Sequence, residues 1–139
     1  MSIVKSVLLY LQAAFYVWAG YAHFARPDFY LPMMPPYLPA HAELVFLSGV
    51  AEVLCGVGLA LPQTRKLAAW GTIALLIAVF PANIHVAMNN VPVFGAAEGP
   101  GPIGYVRLPF QLVLMAWAWW YTRDSSDSRS SAGKLQTSA

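Results

Sequence analysis

The sequence predicts an all-α fold, an integral membrane four-helix bundle with its N- and C-termini cytoplasmic. Three observations carry this: a shortage of charge, four apolar stretches of bilayer length, and two proline- and glycine-rich connections on one side. Of 139 residues, 58% are apolar and 10% charged, against about 25% charged in an average soluble domain. Five of the fourteen charged residues (Arg123, Asp124, Asp127, Arg129, Lys134) lie in the last 17. The remaining nine cannot coat a soluble domain built from residues 1–122. A soluble enzyme, a nucleic-acid binder and a disordered adaptor are excluded on this ground. The net charge of +2 reflects how Lys and Arg are placed around a bilayer.

A bilayer core needs about 20 mostly apolar residues in a helix. Four segments qualify: Ile3–Phe24, Glu43–Leu61, Lys66–Met88 and Tyr105–Tyr121. The first is longer than a signal-peptide core and is followed by no Ala-x-Ala site, so it reads as a retained span. Pro62-Gln63-Thr64 makes a tight turn, pairing spans two and three as an antiparallel hairpin. Ala25–Ala42 contains five prolines, and Asn89–Gly104 contains Gly95, Gly99, Gly101 and Gly104 with Pro92, Pro100 and Pro102. Neither is helical throughout, and both lie on the same side. Residues 123–139, with six serines, read as a disordered cytoplasmic tail.

Orientation follows from the cations. Lys5, Arg65, Lys66, Arg123, Arg129 and Lys134 fall on the side of the termini, and only Arg26 and Arg107 on the other. The positive-inside rule therefore puts both termini in the cytoplasm. Trp117, Trp119, Trp120 and Tyr121 form an aromatic belt at the inner interface.

Polar groups in lipid are costly, so their positions carry the functional information. Gln12, Tyr16, Gly20 and His23 share one face of span one, and Gly49, Glu52 and Gly56 one face of span two. Glycines at such spacing let helix backbones approach closely. Span three carries Asn83 and His85, and span four Arg107 and Gln111. His85 points about 200° away from Asn83, which assigns Asn83 to the interior and His85 to the interface. Pro81 and Pro109 interrupt their helices and free the carbonyls of Ile77 and Tyr105. His23, Glu52, Asn83, Arg107 and Gln111 thus gather in the outer half, as a ligand-binding set or as an ion pair of Glu52 with Arg107 that locks two helices. The inner half is nearly bare of ionisable groups.

No metal site is assigned, because no two of His23, Glu52 and His85 have the spacing of a helical ligand pair. The single cysteine, Cys55, rules out a disulfide or dithiol centre within one chain. Gly95–Gly104 lacks the Lys-Ser/Thr ending of a phosphate loop.

The segments Gly20-Tyr-Ala-His-Phe24, Gly49-Val-Ala-Glu52, Phe80-Pro-Ala-Asn83 and Arg107-Leu-Pro-Phe-Gln111, with the proline-rich loop, resemble the DoxX-like membrane proteins over about residues 3–121. The resemblance implies a multi-pass four-helix protein of a bacterial or archaeal inner membrane. The family takes its name from a subunit of a quinone-linked thiosulfate oxidoreductase, and other members accompany partner enzymes in oxidative-stress handling. No catalytic residue carries over. The expectation is a redox-associated subunit with an outward-half pocket for a quinone-like or other amphipathic ligand, whose partners are the lipid bilayer and a redox enzyme. A structural or assembly protein is the alternative, and a small-molecule transporter the third reading.

Overall fold

A computed structural model describes residues 1–123, and every regular element among them is helical. The tail expected to be disordered lies, from residue 124 onward, outside the described residues. Four long helices make the frame: α1 (Ile3–Ala25), α3 (His41–Ala60), α4 (Arg65–Asn89) and α5 (Arg107–Thr122), with a one-turn α2 (Pro27–Tyr30) after α1. Of these, α1, α3 and α4 are long and apolar enough to cross a membrane. With 16 residues, α5 is shorter than the usual span.

The ends of the helices follow from local chemistry. Ser2 caps α1, its hydroxyl accepting from the Lys5 amide at 3.2 Å. Pro27 stops α1 and opens α2 at its N-terminal position, where a missing N–H costs nothing. Arg65 reaches back across the tight turn, donating to the carbonyls of Leu59 (2.9 Å) and Ala60 (3.3 Å) at the end of α3. Asn90 ends α4 in the left-handed region at φ 50°, which Asn tolerates. Its side-chain oxygen accepts from the Gly101 amide at 2.7 Å, fixing the second long connection. Pro81 lies inside α4 as expected. Pro109 does not interrupt a helix: it stands in the first turn of α5, where its missing N–H has no intrahelical partner to lose.

The helices pack in sequence order, α1 on α3, α3 on α4 and α4 on α5. The first contact is backbone on backbone. A Cβ on Gly20 would stand 2.7 Å from the Gly49 carbonyl oxygen, and one on Gly56 2.7 Å from that of Ala13. This is the close approach expected of the glycine faces. Residues exposed on the outside are largely apolar, Ile3, Trp18, Leu54 and Leu67 among them, while Gln12, Thr72 and Gln111 are buried. That inversion suits lipid as the solvent.

The two ends of the bundle differ. At the end of the termini, Leu9, Ala13, Tyr16, Leu59, Ala68, Ala69 and Tyr121 form a close core. There the Tyr121 hydroxyl donates to the Lys5 carbonyl at 3.3 Å, and the Lys5 ammonium donates to the Trp120 carbonyl at 3.5 Å. At the end of the two long connections the helices enclose a cavity.

Candidate functional site

The cavity measures about 560 Å³, and all five residues singled out in the sequence, His23, Glu52, Asn83, Arg107 and Gln111, line it. Four helices contribute: His23 comes from the last turns of α1, Glu52 from mid α3, Asn83 from late α4, and Arg107 and Gln111 from the start of α5. The rest of the lining is mainly apolar and aromatic, as in cavities for small amphipathic molecules.

The polar groups fall into two sets. On the α4–α5 side, Arg107 donates from Nε (3.4 Å) and Nη2 (3.3 Å) to Asn83 Oδ1. Asn83 Nδ2 donates to Gln111 Oε1, and Gln111 Nε2 donates to the Leu76 carbonyl. Donors and acceptors run in one direction along this relay, which fixes both amides. A guanidinium carries five N–H donors, and Asn83 is the only acceptor Arg107 meets among the described residues. It faces the cavity as a cation with donors to spare.

On the α1–α3 side, His23 Nδ1 lies 2.8 Å from the Ala19 carbonyl and 3.2 Å from Glu52 Oε2. A carbonyl oxygen only accepts, so Nδ1 carries a proton and directs it to Ala19. Glu52 Oε2 is buried and has no hydrogen-bond partner among the described residues. The His23 ring stacks on Tyr30 at 3.8 Å between centroids. Burial first, and the Glu52 carboxylate second, raise the Tyr30 phenol above its ordinary range.

The ion pair weighed for Glu52 and Arg107 is not formed. Glu52 projects from α3 toward α1 and has His23 as its ionisable neighbour, whereas Arg107 projects from α5 toward Asn83 on α4. The two polar sets stand on different helix pairs.

The rest of the lining was not singled out in the sequence; it includes Tyr30, Ser48, Phe94 and Tyr16, the last placed on the right face but not in the site. Ser48 was legible, being one helical turn before Glu52 on the same face. Tyr30 and Phe94 come from irregular connections, where periodicity carries no information. His85 lies off the cavity, its Nδ1 accepting from Asn89 Nδ2 at 3.0 Å, in keeping with the separation from Asn83. His41, without a legible role in the sequence, has Nε2 3.0 Å from the Pro35 carbonyl and so ties the proline-rich connection to α3.

A further polar pair on α1 runs from the cavity lining, at Tyr16, toward the core, at Gln12. Gln12 is 0% and Tyr16 2% exposed, yet neither amide atom of Gln12 nor the Tyr16 hydroxyl has a hydrogen-bond partner among the described residues. Cys55 is a free thiol. No group of three or more His, Cys, Asp or Glu suited to a metal occurs among the described residues.

Residues 12–122 match the model of a family described as Domain of unknown function (DUF8561), and the chain belongs to that family. The matched segment takes in every residue of the cavity. No curated protein and no solved structure matches the chain.

Proposed function

We propose that this member of the family is a redox-associated subunit of a bacterial or archaeal inner membrane, similar to the DoxX-like proteins, and that its cavity binds the head of a quinone-like or other amphipathic ligand. The observation that carries the reading is one apolar cavity with a guanidinium holding spare donors on one side and, on the other, a buried carboxyl oxygen that has no hydrogen bond and only His23 Nδ1 beside it at 3.2 Å. A carbonyl or anionic oxygen on the ligand suits Arg107, and a hydroxyl suits Glu52. Such groups are costly in lipid until partnered, so a ligand that satisfies both sides gains more here than in the open bilayer.

In this reading α5 is the fourth span. Its 16 residues rise about 24 Å at 1.5 Å each, and the six-residue 3-10 helix Gly101–Val106 leads into it, against a hydrocarbon core of about 30 Å. The excess of Lys and Arg on the side of the termini favours cytoplasmic ends. The cavity then faces the outer leaflet, and the long connections are available to a partner redox enzyme.

The test is mass spectrometry of an organic extract from protein purified in mild detergent, beside a Glu52→Gln control. The expected result is a quinone or other defined amphiphile, stoichiometric in the wild type and depleted in the variant. Bulk phospholipid alone in both samples overturns the reading. It would favour the second one, a structural or assembly protein, which the Arg107–Asn83–Gln111–Leu76 relay supports because it ties α4 to α5 without any ligand. A transporter needs a polar path past the core at the end of the termini, and Leu9, Leu59 and Ala69 at its centre are fully buried.

A further inference from the structure

The cavity is roofed by the two long connections. Tyr30, Met33, Met34 and Phe94, all from the connections, line it on the side away from the termini. Tyr30 is held by its stack on His23, and Phe94 meets Tyr30 edge-on at 6.1 Å. The floor is closed by the core around Leu9 and Leu59. Three of the four helix–helix walls are packed, α1 on α3, α3 on α4 and α4 on α5.

The wall between α1 and α5 is different. The described hydrogen bonds joining these helices, from the Lys5 ammonium to the Trp120 carbonyl and from the Tyr121 hydroxyl to the Lys5 carbonyl, are at the end of the termini. Higher up, Trp18 on α1 and Phe110 on α5 line the cavity while being 66% and 55% exposed. Residues that line a cavity and face the outside mark an opening: among the helices Trp18 and Phe110 do so most, and in the roof Phe94, 56% exposed, marks a second. Behind Trp18 and Phe110 lie Ala19 (8% exposed) and Leu114 (9%). Among lipid-facing helices the outside of this seam is acyl chain, and its lining is hydrocarbon and aromatic, whereas the polar atoms are set back at Glu52 and Arg107.

We propose that the ligand enters sideways from the bilayer through the seam between α1 and α5, and that its hydrocarbon tail lies there between Trp18 and Phe110 with its head at Glu52 and Arg107. This rests on the reading that the cavity binds an amphiphile and adds its source: a molecule dissolved in the membrane, with a long apolar chain.

The test is carbene footprinting of the full chain in liposomes with two diazirine probes, one on a phospholipid acyl chain and one water-soluble, followed by peptide mapping. The expected result is labelling of Ala19 and Leu114 by the acyl-chain probe, several-fold above the water-soluble probe, and its loss at Leu114 in a folded Ala19→Trp variant. Acyl-chain labelling confined to outward residues such as Leu54 and Leu67, or Leu114 labelled better from water, overturns the lateral route. The wild-type arms alone decide this, even if Ala19→Trp fails to fold. The two readings fail separately. A head-group ligand lost in Glu52→Gln with Leu114 labelled only from water keeps the site and overturns the route. Leu114 labelled from lipid with only bulk phospholipid in the extract keeps the open seam and overturns the head-group ligand.

Discussion

The two ends of this bundle are built from the same four helices, yet one is a core and the other a container. Toward the termini, small residues (Ala13, Ala68, Ala69) let the helices close on Leu9, Leu59 and Tyr121. Toward the long connections the same helices carry His23, Glu52, Asn83, Arg107 and Gln111 around a cavity. Closure in lipid therefore depends on what the interface is made of. Where it is small and apolar, dispersion contacts bring the helices together. Where it is polar, the groups meet in pairs of helices, incompletely satisfied, and leave space between the pairs.

Four substitutions test that contrast. The largest effect is expected from Gly56→Leu, because the added side chain would meet the Ala13 carbonyl and the Val17 backbone and α1 would have to move away. The cost should reach or exceed about 3 kcal/mol, read as loss of the monodisperse peak in detergent chromatography. Leu59→Ala, in the closed end, should cost about 2 kcal/mol. That is the lower part of the range for such truncations, because in lipid mainly dispersion contacts are lost; a thermal unfolding series in detergent measures it. Gln111→Leu cuts the relay between Asn83 and the Leu76 carbonyl and should cost about 1–2 kcal/mol in the same series. An unchanged midpoint would show that the relay contributes nothing to holding α4 on α5. The smallest effect, and of opposite sign, is expected from Gln12→Met. Both amide atoms of Gln12 are buried without partners, so an apolar chain of similar length should raise stability by up to about 1 kcal/mol. A clear fall in the unfolding midpoint would mean that Gln12 is satisfied in the membrane by something that Met displaces.

Much of this arrangement was legible in the sequence. Apolar run length located all four long helices to within two residues at each end. Helical spacing put Gln12, Tyr16 and His23 on one face, and Glu52 between Gly49 and Gly56, because in lipid a polar residue turned outward is costly enough to make periodicity a strong signal. It did not reveal which polar groups pair. Glu52 beside Arg107 was reasonable from charge alone, but partner choice is decided by which helices are neighbours, and α3 lies between α1 and α4. The roof was not legible either. Tyr30 and Phe94 owe their places to a one-turn helix after Pro27 and to a left-handed backbone at Phe94, neither of which has a hydrophobic period.

The glycine contact between α1 and α3 has a mechanical consequence. With backbone against backbone at Gly20 and Gly56, these helices behave as one half-shell, and the proline-rich connection joins only members of that half. The relay from Arg107 to Leu76 and the second long connection make α4 and α5 the other half. A single covalent strap, Pro62-Gln63-Thr64, links the halves, and it lies at the end of the termini beside the closed core. The halves are thus joined covalently at the sealed end, while at the cavity end they meet through side chains, with Phe94 edge-on to Tyr30 at 6.1 Å.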